Sequence, residues 1–330
     1  MIEARRILIV APHPDDEVVA CGIAASRARA AGARVFVLYL TTGVPERAAL
    51  WAWQRPTHAA RVRRRRDEAQ LAAAVLGLAP VGFRDAPSRR LRADLARAAA
   101  ELDAVVALCA ADALWVPAFE GGHQDHDAAN ALAASFAGRL PVWEFAAYNF
   151  AGGRVRANRF ATERGGEVAI AATAAEARQK RVALGCYASE RGNLGHFGVE
   201  REFCRPLPAY DYGLPAHPGR LFRERFHWVP FRHPRIDFAP SAEIYRDIGS
   251  WASAASLGDR PGGETGQPDR ELARAFDEPE GERGLGGKPG DGSDGDQRGL
   301  LRAPAGGDHK GGAARGEREA FEEDGLGKAG

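Results

Sequence analysis

The chain has 330 residues, of which 45% are apolar, and its 45 Lys and Arg nearly balance its 44 Asp and Glu, for a formal net charge of +1. That is enough material for one large globular domain with a real core, and the charge balance argues against a dedicated nucleic-acid binder, which carries a clear positive excess. No run of about 20 apolar residues exists, so no membrane span is expected. The N-terminus enters a strand-like run at once and shows no cleavage site, so no secretory signal is expected. Cys21, Cys109, Cys186 and Cys204 are widely spaced and form no C-x-x-C pair. They read as reduced, mostly buried thiols of a cytoplasmic protein.

Residues 6–11 read as a first strand, 18–31 as a helix that Gly32 can end, 34–40 as a second strand and 59–77 as a helix closed by Gly77. Helical character returns at 89–101. Strand-like runs follow at 104–108 and 113–117, then a helix at 126–137 and a strand at 141–147. This alternation predicts an α/β, Rossmann-like, mainly parallel sheet flanked by helices. The strands are continuous apolar runs, as expected where helices cover both faces. Beyond residue 150 the signals weaken to a strand at 167–171, a helix at 174–187 and a strand-like run at 221–230. The expected domain therefore spans 1–248, with a core at 1–150 and a smaller capping region at 151–248 that walls a cleft. After residue 250 fall 20 of the 39 glycines and few large apolar side chains. Residues 249–330 cannot bury enough surface to offset their ordering entropy, and a disordered tail is expected there.

Two motifs carry chemistry. Ala11-Pro-His-Pro-Asp-Asp-Glu17 follows the first strand and opens a helix, at the carboxyl end of a strand where open α/β sheets build ligand sites. The plain alternative is a polar turn with Asp15 or Asp16 capping the helix. Glu120-Gly-Gly-His-Gln-Asp-His-Asp127 follows the strand at 113–117 and again precedes a helix. Its plain alternative is a Gly-rich turn capped by Asp125. Together the motifs can face one cleft. A His, Asp and His set suits Zn²⁺, and three protein ligands with one open position describe a catalytic site. A spare carboxylate beside them can serve as general base.

The pair H-P-D-D-E and H-x-D-H resembles the PIG-L/LmbE family of zinc-dependent N-acetylglucosaminyl deacetylases, over residues 5–230. Weaker similarities lie at 25–43, at 65–77, at 82–85 and at 180–190, where Glu190 replaces a usual Gln. The resemblance implies a zinc-dependent hydrolase that removes an N-acetyl group from a glucosamine conjugate. It implies His13, Asp16 and His126 as ligands of one zinc ion per chain. It further implies Asp15 as the base that deprotonates the attacking water, and His123 as the group that stabilises the oxyanion or protonates the amine. Asp125 would orient His123 and raise its pKa. Arg65 and Asp85 match substrate-contacting positions. Some members place a catalytic Tyr just before the second motif; Glu120-Gly121-Gly122 stands there instead. The implied partner is a small N-acetylated sugar conjugate, with no nucleic-acid or integral membrane contact.

A related amidase on a thiol or glycopeptide conjugate is one rival reading, and a non-catalytic sugar-binding protein of the same fold is another. A dinucleotide enzyme is disfavoured because no G-x-G-x-x-G follows the first strand. His58, His196, His217, His227 and His233 lack ligand spacing and read as packing or surface residues. Residues 61–66 read as a solvated helix face. Trp51 and Trp53 are placed to stack on a sugar ring or to pack.

Overall fold

The computed structural model describes residues 4–195 and 197–256. Its first half alternates β1 (Arg6–Ala11), α1 (Asp16–Ala30), β2 (Arg34–Tyr39), α2 (His58–Leu76), β3 (Ala79–Phe83), α3 (Leu95–Cys109), β4 (Ala113–Pro117), α4 (Gln124–Ala134) and β5 (Val142–Phe145). A short hairpin of β6 (Tyr148–Asn149) and β7 (Arg156–Ala157) follows. Then come β8 (Val168–Ala171), α5 (Ala174–Cys186), α6 (Arg191–Leu194), β9 (Arg201–Pro206) and α7 (Ser241–Ser256).

Seven strands form one sheet in the order β3-β2-β1-β4-β5-β9-β8. The first five run parallel, and β9 pairs antiparallel with both β5 and β8. The fold is thus the expected α/β sheet flanked by helices. Alternation within β1 divides the core: Leu8 and Val10 pack with α3, α4 and α7, whereas Ile7 and Ile9 pack with α1, α2 and α5. The chain leaves β1 toward β2 and β3, then returns to β4 on the other side. This reversal opens a crevice at the carboxyl ends of β1 and β4, and both motifs begin there.

Several elements differ from the sequence reading. Residues 104–108 belong to α3, not to a strand. Leu95, Ala98, Leu102, Val106 and Cys109 are buried at three- and four-residue spacing, so the short apolar run is part of a helical stripe. Residues 222–226 form a 3₁₀ turn instead of the strand expected over 221–230; Glu224 accepts the Leu221 backbone N–H and closes that turn. The region 151–248 does more than cap the sheet, because it supplies β8 and β9. Helix α7 continues past residue 248 to Ser256, and the remainder of the expected tail lies outside the described residues. Among the described residues no helix is long and apolar enough to cross a membrane.

Helix α7 buries Ile244, Tyr245 and Ile248, each contributing about 1.5–3 kcal/mol by burial. Ending the chain after Pro240 should therefore lower the melting temperature sharply, whereas ending it after Ser256 should leave it unchanged. Thermal denaturation of both truncations against the full chain checks this.

Candidate metal centre

The first motif turns sharply before α1. Asp15 has φ +125°, a conformation that non-glycine residues avoid. Five contacts offset the strain. The Arg65 guanidinium donates to the Pro14 carbonyl, and its Nη2 also lies 3.1 Å from Asp15 Oδ2. The Asp15 N–H donates to Glu17 Oε2 at 3.1 Å, and Val18 and Val19 N–H both return to the Asp15 carbonyl. Arg65 is buried against the Tyr187 ring, 5.5 Å away, with Glu190 at 3.4 Å. Gly43 admits it, since a Cβ there would meet Arg65 Nη2 at 2.9 Å. Glu17 is fully buried and accepts the Tyr187 hydroxyl; burial pushes its carboxyl up to about 8.

The turn brings His13 and Asp16 against the second motif. His13 Nδ1 lies 3.2 Å from Asp16 Oδ2, and His126 Nε2 lies 3.2 Å from Asp16 Oδ1. His13, Asp16 and His126 are all buried, and their donor atoms cluster as a metal ion requires. His126 Nε2 is buried without a hydrogen-bond partner despite its closeness to the carboxylate. A buried polar atom left unpaired is costly; a cation at this point would satisfy it. Burial alone would lower the His13 pKa, yet bonds to Asp125 and Asp16 raise it to about 10. The surroundings thus favour positive charge at this imidazole, which a divalent cation at Nδ1 also supplies. The same histidines hold Asp16 ionised, well below the usual carboxylate range, against the opposing effect of burial. The residues therefore fit a divalent ion.

A second trio, His13, His123 and Asp125, also clusters, but its donors are already engaged. Asp125 accepts from His13 Nε2 at 3.0 Å, from the Arg89 N–H at 2.6 Å and from the Leu91 N–H at 3.2 Å. His123 Nδ1 accepts the Asp125 backbone N–H at 3.1 Å and so caps α4.

These bonds correct two expectations. Asp125 orients His13, not His123: its carboxylate stays 3.7 Å from His123 Nδ1, a nitrogen already occupied as an acceptor. The His123 pKa is also lowered, not raised. Burial dominates, and the positive neighbour His13 adds to it, outweighing Asp125. A neutral imidazole that accepts at Nδ1 carries its proton on Nε2, so His123 is a neutral donor. Its side chain is 19% exposed, the most open of the three imidazoles.

Asp15 sits beside this cluster. Burial pushes its carboxyl up to about 7, with Arg65 pulling the other way. The two expected substrate contacts do not meet there. Arg65 is a buried clamp on Asp15, and Asp85 is 89% exposed, paired at 3.3 Å with Arg66. The structure adds two neighbours the motifs did not reveal. Ser88 Oγ lies 3.3 Å from His13 Nε2. The Tyr148 ring stands edge-on to His126, with centroids 5.2 Å apart. Gly122 makes room for Tyr148, because a Cβ there would meet the Tyr148 carbonyl at 2.4 Å. Trp51 and Trp53 stack at 5.2 Å, and Trp53 is 72% exposed. His58, His217 and His227 each bond a backbone carbonyl, and His233 packs on Trp51; His196 lies outside the described residues.

Residues 8–137 match the family model PIG-L, described as GlcNAc-PI de-N-acetylase. No curated protein matches the chain in sequence. Among solved structures, a triple mutant of a deacetylase from the teicoplanin biosynthetic pathway is 21% identical with a TM-score of 0.50, covering 62% of this chain and 99% of its own. A deacetylase complex from the same pathway is 22% identical, with a TM-score of 0.49 over 62% of this chain and 99% of its own. The 4-carboxy-2-hydroxymuconate hydratase GalB of Pseudomonas putida is 18% identical, with a TM-score of 0.43 over 62% and 96%. The likeness to the triple mutant describes a shared fold alone.

Asp125→Asn removes the anionic acceptor behind His13. Metal affinity should fall about 10- to 100-fold, the usual cost of losing such a partner, as measured by competition with a chromogenic chelator.

Proposed function

We propose, for a chain whose residues 8–137 match the PIG-L family model, a metal-dependent hydrolase that removes an N-acetyl group from a glucosamine-containing conjugate. The products are acetate and a free amine. The supporting observation is the buried His13–Asp16–His126 cluster, with an unpaired His126 Nε2 and the Asp15 carboxylate beside it. Three His and Asp donors suit zinc. When bound, such a cation polarises the acetyl carbonyl and makes water a competent nucleophile near neutral pH.

The protein groups then divide the proton work. Asp15 accepts a proton from water as the water oxygen bonds to the carbonyl carbon. The His123 Nε2–H donates to the carbonyl oxygen as negative charge builds on it. When the C–N bond breaks, the proton held by Asp15 passes to the leaving nitrogen. His123 is neutral and therefore donates a hydrogen bond without giving up its proton. Arg65 keeps the Asp15 carboxylate aimed at the cleft. The stacked Trp51–Trp53 pair offers an aromatic face for the sugar.

An acetate-release screen over N-acetyl sugars, with thiol and glycopeptide conjugates for comparison, tests this reading. Activity should appear on at least one glucosamine conjugate and vanish with a chelator. Asp15→Ala should retain metal and lose about 10²- to 10⁴-fold in turnover. Release of acetate at full rate in chelator would overturn the metal-dependent reading.

Loss of the neutral donor gives a separate expectation. His123→Ala should lower kcat about 10²-fold or more with metal content unchanged. His123→Gln, which keeps an N–H donor, should recover part of that loss. Steady-state kinetics on the three proteins checks this.

A further inference from the structure

Residues 221–247, beyond the stretch matched by the family model, grip the first turn of α4 on both sides of His126. Asp127 follows His126 and is fully buried. Its Oδ1 accepts the backbone N–H groups of Glu120 at 3.2 Å and Gly121 at 3.0 Å. Its Oδ2 accepts the hydroxyl of Tyr245, a buried residue of α7, at 2.9 Å. Arg223 Nη1 lies 3.7 Å from the same oxygen, close but outside hydrogen-bond range. On the other side, Gln124 donates from Nε2 to Asp237 at 2.6 Å and accepts from Arg92 Nε at 2.9 Å. Arg92 in turn pairs with Glu243 at 2.7 Å and with Asp247, both on α7. Positions 124 and 127 are neighbours one turn apart, so the helix turn that carries His126 is held at both flanks.

We propose that Asp127 and Tyr245 are positioning residues for His126, and the proposal rests on reading His13, Asp16 and His126 as the metal centre. The Tyr245 hydroxyl holds the Asp127 carboxylate between the Glu120–Gly121 turn and α7. That placement keeps His126 Nε2 within 3.2 Å of Asp16 Oδ1. Without the hydroxyl, a buried carboxylate oxygen is left with only Arg223 to answer it. A charge-assisted bond is stronger than a neutral one, so Asp127 swings toward the guanidinium and carries the first turn of α4 with it. His126 then leaves its place opposite Asp16, although the aromatic ring of α7 stays in the core.

The test titrates metal-free protein with Co²⁺ against a competing chelator and records the visible absorption of the bound ion. The variants are Tyr245→Phe and Asp127→Asn. Tyr212→Phe is the control, since Tyr212 donates to Asn130 at 2.7 Å, in the turn of the same helix after the one that carries His126. Tyr245→Phe should bind Co²⁺ about 10-fold more weakly with an altered spectrum. Asp127→Asn, which keeps an acceptor for the Glu120 and Gly121 N–H groups, should lose less, and Tyr212→Phe should match the parent. Parent-like affinity and spectrum in both site variants would overturn the proposal. Equal weakening in Tyr212→Phe would also overturn it, because the effect would then be general loosening of α4. Absence of Co²⁺ binding by the parent would overturn the metal reading itself and this proposal with it. If Tyr245→Phe does not fold, the comparison of Asp127→Asn with the parent decides.

Discussion

The hydrogen bond between His13 Nε2 and Asp125 Oδ2, 3.0 Å long, joins the two halves of the site. His13 leaves the sheet at the end of β1, and Asp125 enters it after β4, 112 residues later. By occupying Nε2, Asp125 leaves Nδ1 facing Asp16, so the tautomer and the ring orientation are settled together. The carboxylate is itself fixed by the backbone N–H groups of Arg89 and Leu91. Arg89 reaches this arrangement at φ +71°, and its guanidinium holds the carbonyls of Pro234 and Ile236. The chain beyond β5 is thereby tied to the acceptor behind His13.

A second constraint is the placement of a carboxylate where water is scarce. Burial pushes Asp15 toward its neutral form, and Arg65 restrains that tendency without abolishing it. Replacing Arg65 by a fully solvated cation would relinquish the clamp on the Pro14 carbonyl as well as the charge. The strained backbone at Asp15 persists because the surrounding bonds over-determine it. Backbone strain, the buried guanidinium and the raised carboxyl therefore belong to one local arrangement.

Much of this was legible in the sequence, and the exceptions have physical causes. The strands β1, β2, β4 and β5 read as apolar runs because helices cover both of their faces. Strand β9 reads as polar because its buried side chains include charges. Glu202 pairs with Lys180 at 2.6 Å, and Arg205 pairs with Glu144 at 2.7 Å. Pairing inside the protein hides burial from any hydropathy pattern. Strand β3 is obscured by Pro80 and Gly82, residues that ordinarily argue against a strand. The spacing of the two motifs signalled one cleft, and His13, Asp16 and His126 do meet there. The partner of Asp125 was not legible, since choosing between His13 and His123 depends on tertiary geometry. Tyr148 gave no signal for the same reason: it lies on β6, 22 residues beyond His126 in sequence, and meets it only across the crevice.

Helix capping bears on the role proposed for His123. The N-cap position favours Ser, Thr, Asp or Asn, whose oxygens accept an orphan N–H. Any of these would complete α4, and a poorer cap costs about 0.5–2 kcal/mol. A carboxylate or hydroxyl, however, spends its reach on the helix itself. An imidazole can accept at Nδ1 and still present an N–H at Nε2, on the far side of the ring. The Asp125 N–H therefore fixes the tautomer, the tautomer makes His123 a donor, and the lowered pKa keeps it neutral. A neutral imidazole is too weak an acid to protonate an amine, so the proposed mechanism gives Asp15 both the taking and the returning of the proton. The division of labour proposed for the two motifs thus rests on a backbone hydrogen bond at the start of a helix.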